Sequence, residues 1–359
     1  MSEPPPFEPP SLGPPLPPRP PFRPVLELVP PAGEPTPPPA AIRPRYGLAV
    51  LLFLATLFTT TTLGPVTYLM SRTDMVTGLV SLLSPQLVAA VWRNPALLRI
   101  GLTFSLTALF ILLCHELGHY VACRRYGLPC TLPYFLPVPV GLGTFGAFIR
   151  ISAPIRSKRE LFDVGVAGPL AGFVALLPFL FYGVAHSHPV HLSAVSGTTP
   201  MSLLAPGRSL AVELVARIFH GPLGPDVYLD LHPMALGAWL GLFATALNLL
   251  PLGQLDGGHI LYSVLGRWQR RLALPLWIAL GGLGILWWGW WIWCVLVLLI
   301  GLFHPPVRDE QTPLDAKRRA IAALALLIFI LSFMPVPLEL VDLVAPPGAE
   351  TAPAVVAQR

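Results

Sequence analysis

The stretch LTALFILLCHELGHYVAC, Leu106–Cys123, sets two histidines and a glutamate inside an apolar run. The run extends from about Leu97 to Tyr126, long enough for a membrane-spanning helix. Ionisable groups at such a depth cost roughly 2.5–3.5 kcal/mol each unless they are paired or functional. On a helix, His115 and His119 lie about 40° apart, so both imidazoles reach one metal. Glu116 lies about 60° from His119 on the same side. This is the HExxH arrangement of zinc hydrolases. Two imidazoles and a carboxylate hold the ion and leave the fourth position for water. The metal lowers the pKa of that water to about 7, and Glu116 takes its proton and passes it to the leaving amine. The plainer alternative, a hydrogen-bonded polar cluster near the interface, has no reason to place all three groups in an apolar run.

The rest of the chain agrees with a membrane setting. Of 359 residues, 54% are hydrophobic and only 11% are charged, against about a quarter in an average soluble domain. Mean hydropathy is +0.66. The fold class expected is an all-α polytopic membrane protein of six to seven spans with a small membrane-embedded β-hairpin or loop. The net charge of +5 does not point to nucleic acid, because the basic residues sit in short clusters between apolar runs, as membrane topology requires. Four cysteines occur without a CxxC spacing, and Cys114 and Cys123 point about 180° apart on one helix; a disulfide framework or cysteine zinc site is not indicated.

Three regions are expected: a tail over 1–45, a transmembrane domain over 46–340 with its core at 96–305, and a C-terminal tail over 341–359. The first 45 residues hold 19 of the 45 prolines and read as a disordered or polyproline-like spacer. Spans are placed at about Tyr46–Met70, Leu97–Tyr126, Leu161–His186, Pro233–Leu250 and Arg319–Met334. Residues 76–92 read as interfacial or partly embedded. Residues 272–303 read as two tightly turned spans splitting near Trp288–Trp290, with one long tilted helix as the alternative. With seven spans and a cytoplasmic N-terminus, the clusters at Arg43/Arg45, Arg124/Arg125, Lys158/Arg159, Arg267/Arg270/Arg271 and Lys317–Arg319 all fall inside. Residues 187–232 form an extracytoplasmic loop with an amphipathic helix near 208–220. PCTLPYFLPVPVGLGTFGAFIRI at 129–151 does not suit a helix, since prolines and glycines recur. It suggests a hairpin or loop dipping into the membrane and packed against helices.

The second motif is NLLPLGQLDGGH, Asn248–His259. Pro251 and Gly253 break a helix there, and Asp256 becomes the third zinc ligand. The two glycines after it allow close approach of the metal-bearing helix. Asn248 binds a substrate backbone or oxyanion, or makes a polar interhelical contact. Gln254 is a candidate substrate contact. His259 either supports the site from behind or caps the next helix. GPLAG at 168–172 has the spacing of a close helix–helix contact. Asp163 suits a helix N-terminus. The tryptophans at 287–293 suit interfacial anchoring. His186, His188 and His191 cluster in a loop without a metal-site pattern.

HELGH at 115–119 and NLLPLGQLDGGH at 248–259, with GTFGAFIRI at 143–151 and FDVGVAGPLAGF at 162–173 between them, resemble the site-2 protease family of intramembrane metalloproteases. The similarity covers roughly residues 96–305. It implies that His115, His119 and Asp256 bind Zn2+, that Glu116 is the general base, and that the substrate is itself a transmembrane segment cleaved in or near the bilayer. The 187–232 loop is too short for the PDZ domain of better-known members. The 143–151 segment, with Phe145 and Gly146, then guides substrate by pairing with it as a strand. The other classes weighed are a catalytically silent membrane scaffold of the same fold and a solute transporter; the latter calls for internal repeats with paired broken helices, which the sequence lacks. The tail lacks transit-peptide character, so a prokaryotic cell membrane is expected. The partners expected are the lipid bilayer and a transmembrane protein, and no nucleic acid.

Overall fold

The computed structural model describes residues 45–70, 85–139, 141–191, 201–224 and 227–343. Two long helices carry the frame, and each begins on a side-chain cap. Helix α3 (Pro95–Arg125) starts at Asn94, whose side chain accepts from the backbone of Ala96 and Leu97, with proline in the first turn. Helix α4 (Lys158–Ala185) starts at Ser157, which accepts from Glu160 N, while Glu160 reaches back to Arg156 N at 2.9 Å. They follow α1 (Tyr46–Met70) and the short α2 (Pro85–Arg93). After them come α5 (Leu210–His220), α6 (Pro233–Asn248), α7 (Asp256–Leu265), α8 (Trp268–Leu283), α9 (Gly289–Ile300) and α10 (Ala316–Ser332).

Among the described residues, three helices are long and apolar enough to cross a membrane: Tyr46–Gly64 of α1, α3 and α4. The expected count of six to seven is not reached on that measure. Helix α6 is apolar but has 16 residues, about 24 Å of rise against a hydrocarbon core of about 30 Å. The 272–303 region divides into α8 and α9, so the single tilted helix is excluded. Residues 71–84, 1–44 and 344–359 lie outside the described residues, and with them most of the expected tails; Leu338–Leu343 is a strand rather than tail.

Among the described residues, strands form three two-stranded antiparallel sheets. The expected hairpin is β1 (Tyr134–Pro137) against β2 (Thr144–Phe148). The 187–232 region and the chain after α10 supply β3 (His188–His191) with β5 (Val227–Asp230), and β4 (Met201–Pro206) with β6 (Leu338–Leu343). The main core lies where α3, α4, α5 and α6 meet, with Phe104, Ile111, Leu176, Leu180, Val212 and Trp239 buried together.

Asp163 does not cap α4; Ser157 does. Arg318 of α10 instead donates to both Asp163 oxygens, at 2.8 and 2.6 Å, and also pairs with Asp315. The Tyr126 hydroxyl donates to Asp163 as well. The ends of α3, α4 and α10 are thus pinned on one fork, bidentate and largely shielded from solvent. Asp163→Ala is expected to lower stability by about 1–3 kcal/mol, read as a drop in Tm of the detergent-solubilised protein. An unchanged Tm would reduce this fork to decoration.

Candidate metal centre

The HELGH residues lie in the C-terminal third of α3 with His115, Glu116 and His119 all buried. Asp256 opens α7, at the end of a tight turn over Leu249–Leu255 in which Gly253 takes φ +55°. Three atoms converge: His115 Nε2 and His119 Nε2 are 3.1 Å apart, and Asp256 Oδ2 lies 3.3 and 3.2 Å from them. Four ligands at about 2.0–2.1 Å around a tetrahedral ion stand about 3.3–3.4 Å from one another, so the triangle has the size of one face of such a site. It is the group of three among the described residues whose side chains could hold a metal ion, and its two imidazoles and one carboxylate suit zinc.

The orientation of His119 is fixed from behind. Its Nδ1 lies 2.8 Å from the Val164 carbonyl of α4. A carbonyl can only accept, so Nδ1 carries the proton, and in the neutral ring Nε2 presents its lone pair to the triangle. Helix α4 approaches this closely because its facing positions are glycine. A Cβ on Gly168 would stand 2.1 Å from His119 Nε2, and one on Gly172 3.1 Å from His115 Cβ. From the other side, a Cβ on Gly118 would stand 2.4 Å from Ala167 O. GPLAG therefore does pack a helix closely, as expected, but what it packs against is the metal-binding pair itself.

Gly257 and Gly258 serve differently from the expectation. A Cβ there would meet Leu249 O at 2.0 Å and Gly253 O at 2.3 Å. They let the preceding turn fold back over α7, which sets Asp256 in place, rather than admitting α3.

Glu116 is not one of the three metal-binding groups. Its carboxylate is neighboured by the backbone of Ile149, the residue after β2. The hairpin is anchored on its other side to α1: Phe53 and Phe135 meet edge to face at 5.3 Å, and Thr59 Oγ1 donates to Gly143 O at 2.7 Å. One strand of the hairpin thus lies against α1, and the other leads to Glu116. Phe145 is 80% exposed, and Gly146 has φ +98° with open space around it.

Asn248 ends α6 with its amide 3.3 Å from His115 Nε2, which brings it to the metal triangle. Gln254 does not come there: it is exposed, and its amide donates to Ile300 O at 3.0 Å, tying the turn to the end of α9. His259 does not cap a helix. Its Nδ1 lies 2.8 Å from His304 Nε2, and His304 Nδ1 lies 2.6 Å from Pro305 O. The carbonyl makes His304 Nδ1 the donor, so His259 Nδ1 donates to His304 Nε2. Burial pushes His259 down to about 4, which keeps this pair neutral. His304 stacks on Tyr262, whose hydroxyl donates to Glu310 at 2.6 Å. Sequence reasoning missed His304, Val164 and Ile149. The last two act through backbone atoms, which leave no residue-type signal, and His304 lies in GLFHPP without a recognisable spacing.

Residues 103–276 match the family model of Peptidase family M50. Over 253 residues the chain is 31% identical to Probable zinc metalloprotease EGY2, chloroplastic, of Arabidopsis thaliana, covering 69% of this chain and 44% of that protein. Over 317 residues it is 30% identical to Probable zinc metalloprotease EGY1, chloroplastic, of Oryza sativa subsp. japonica, covering 83% and 52%. The chain spans about half the length of these curated relatives. Their names place them in the chloroplast, which stands against the prokaryotic cell membrane expected from the tail.

Proposed function

From its homology to peptidase family M50, the site-2 protease family, over residues 103–276, we propose that this chain is an intramembrane zinc metalloprotease. Its substrate is a membrane protein, cut in or near a transmembrane segment. The observation that carries this reading is the 3.1–3.3 Å triangle of His115, His119 and Asp256, whose two histidines lie in a helix long and apolar enough to span a membrane.

His115, His119 and Asp256 would hold a zinc ion, whose Lewis acidity would make water a nucleophile near neutral pH. Glu116 takes a proton from the attacking water and returns it to the departing amine. The Ile149 backbone orients the Glu116 carboxylate. Asn248, within reach of the same histidine, donates to the substrate carbonyl oxygen as charge develops on it. The surrounding apolar helices keep bulk water out, which strengthens both interactions.

A peptide bond within a helix has its carbonyl shielded by the helix itself and must unwind before attack. The β1–β2 hairpin supports a way to hold it unwound. The described residues pair β2 with β1 alone, and a strand added to it would run past Ile149 towards Glu116. Phe145 then contacts the substrate side chains, and Gly146 lets them pass close to the backbone.

The test is cleavage of a transmembrane reporter by the purified full chain in bilayer nanodiscs, with bound zinc quantified. Wild type is expected to cleave and to carry about one zinc per chain. Proline at Phe145 or Phe148 is expected to cut turnover at least about tenfold, the cost of roughly one lost strand hydrogen bond, with zinc unchanged. Full turnover in both proline variants would remove the hairpin from substrate handling. Well-folded wild type without zinc would overturn the metal centre.

A further inference from the structure

Helix α5 has two apolar faces. One is buried: Ala211, Val212, Val215 and Ala216 share a cluster with Leu176, Leu180 and Val184 of α4 and Trp239 of α6. The other is open. Leu210 is 52% exposed, Leu214 53% and Ile218 66%. Spaced four residues apart, these three fall within about 80° of each other around the helix. A surface helix facing water carries polar residues on that side. Here the helix carries Glu213 and Arg217, paired with each other at 3.0 Å, and His220 as its last residue.

Its position explains the pattern. At one end, His220 Nε2 lies 2.7 Å from Val184 O, and Phe219 meets Phe181 edge to face at 6.3 Å, both in the last turns of α4. At the other end, Trp239 Nε1 donates to Gly207 O at 2.8 Å, just ahead of α5. Gly183 abuts Ala235, and Trp239 lies one turn further along α6, about 6 Å deeper. So α5, 11 residues long and thus about 16 Å, descends only about 6 Å along the flank of α4 and α6 and lies closer to the membrane plane than to its normal, as an interfacial helix does. On that flank α4 exposes Phe181 and Tyr182, and the open stripe of α5 continues the apolar surface of a helix that can cross a membrane.

We propose that α5 is an interfacial membrane helix: Leu210, Leu214 and Ile218 sit among the acyl chains of one leaflet, and Arg217 reaches the lipid phosphates. The partner is the lipid surface itself. An interfacial helix of this kind needs an apolar stripe with cations at its rim; Arg217, with its side chain 62% exposed, extends an apolar stem and a charged head from the last turn. The inference rests on α4 crossing a membrane and is independent of the protease chemistry.

The test places p-benzoylphenylalanine at Leu214 or Ile218, and at buried Val212 for comparison, in the full chain reconstituted into vesicles of phosphatidylcholine and phosphatidylglycerol. After irradiation, intact mass reports what each position touches. Positions 214 and 218 are expected to give phospholipid-mass adducts several-fold above position 212. Dimer-mass products at 214 and 218 would make the stripe a contact between copies of this chain and overturn the proposal. Absence of lipid adducts at both positions would overturn it too. Neither outcome depends on whether the protein cleaves anything, so this test fails or succeeds apart from the protease reading.

Discussion

Glu116→Gln is expected to abolish detectable cleavage of a transmembrane reporter while leaving bound zinc at the wild-type level. The loss should be on the order of 10²–10⁴ in kcat, the usual worth of a positioned general base. The structure separates the two readouts. Glu116 is outside the His115–His119–Asp256 group, so metal retention does not depend on its charge. Its place beside the Ile149 backbone survives the change, because a glutamine side chain has nearly the same size and keeps a carbonyl acceptor there. The side chain keeps its place and loses only its ability to take a proton. Turnover in one cleavage assay and zinc by elemental analysis decide it. Retained turnover would remove Glu116 from the chemistry; lost zinc would make it a ligand.

Gly168→Ala is expected to cost zinc affinity at least about tenfold, the scale seen when a ligand's supporting shell is disturbed. The added methyl would stand 2.1 Å from His119 Nε2 and 2.5 Å from Cδ2 and Cε1. Carbon cannot sit there, so either the imidazole leaves the triangle or α4 retreats and takes the Val164 carbonyl with it. The substitution should not weaken α4 itself, since alanine favours a helix interior over glycine by about 1 kcal/mol. A loss of zinc with helix content intact is therefore diagnostic of contact. Gly172→Ala serves as the graded comparison: its methyl would stand 3.1 Å from His115 Cβ, a distance a small shift relieves, so its zinc loss should be clearly smaller. Dialysis against zinc buffers with measurement of bound metal ranks the two. Equal occupancy in both variants would show that α4 does not hold the histidines in register.

The metal-binding pair was legible in the sequence because its signal is local. His115 and His119 obey helical spacing, and their cost inside an apolar run demands a purpose. Asp256 was legible through the break at Pro251–Gly253 that precedes it. Helices α3 and α4 begin and end within a few residues of expectation, since their apolar runs nearly fill them; the caps at Asn94 and Ser157 start each helix two to three residues earlier than the runs do. What escaped is non-local. GPLAG announces a close approach but not the partner. Asp163 has the position of a cap, and only the fold brings Arg318 to it across 155 residues of chain. Gln254 looked like a substrate contact from its place in the motif, yet its amide meets Ile300 because Gly253 turns the chain that way. The length of α6 was overread: an apolar stretch ending at Leu250 does not reveal that only 16 residues of it are helical.

The pairing of β4 with β6 bears on how the molecule is made. All residues of the triangle have been synthesised by Asp256, whereas the partner of Met201–Pro206 is Leu338–Leu343. During synthesis the centre can close while β4 still presents bare N–H and C=O groups, a template for mispairing with any other strand. A chain released early, after α10 but before Leu338, would hold its zinc ligands and still carry this unsealed edge. Closure of the ladder thus reports that synthesis has passed Leu343, which closure of the triangle alone does not.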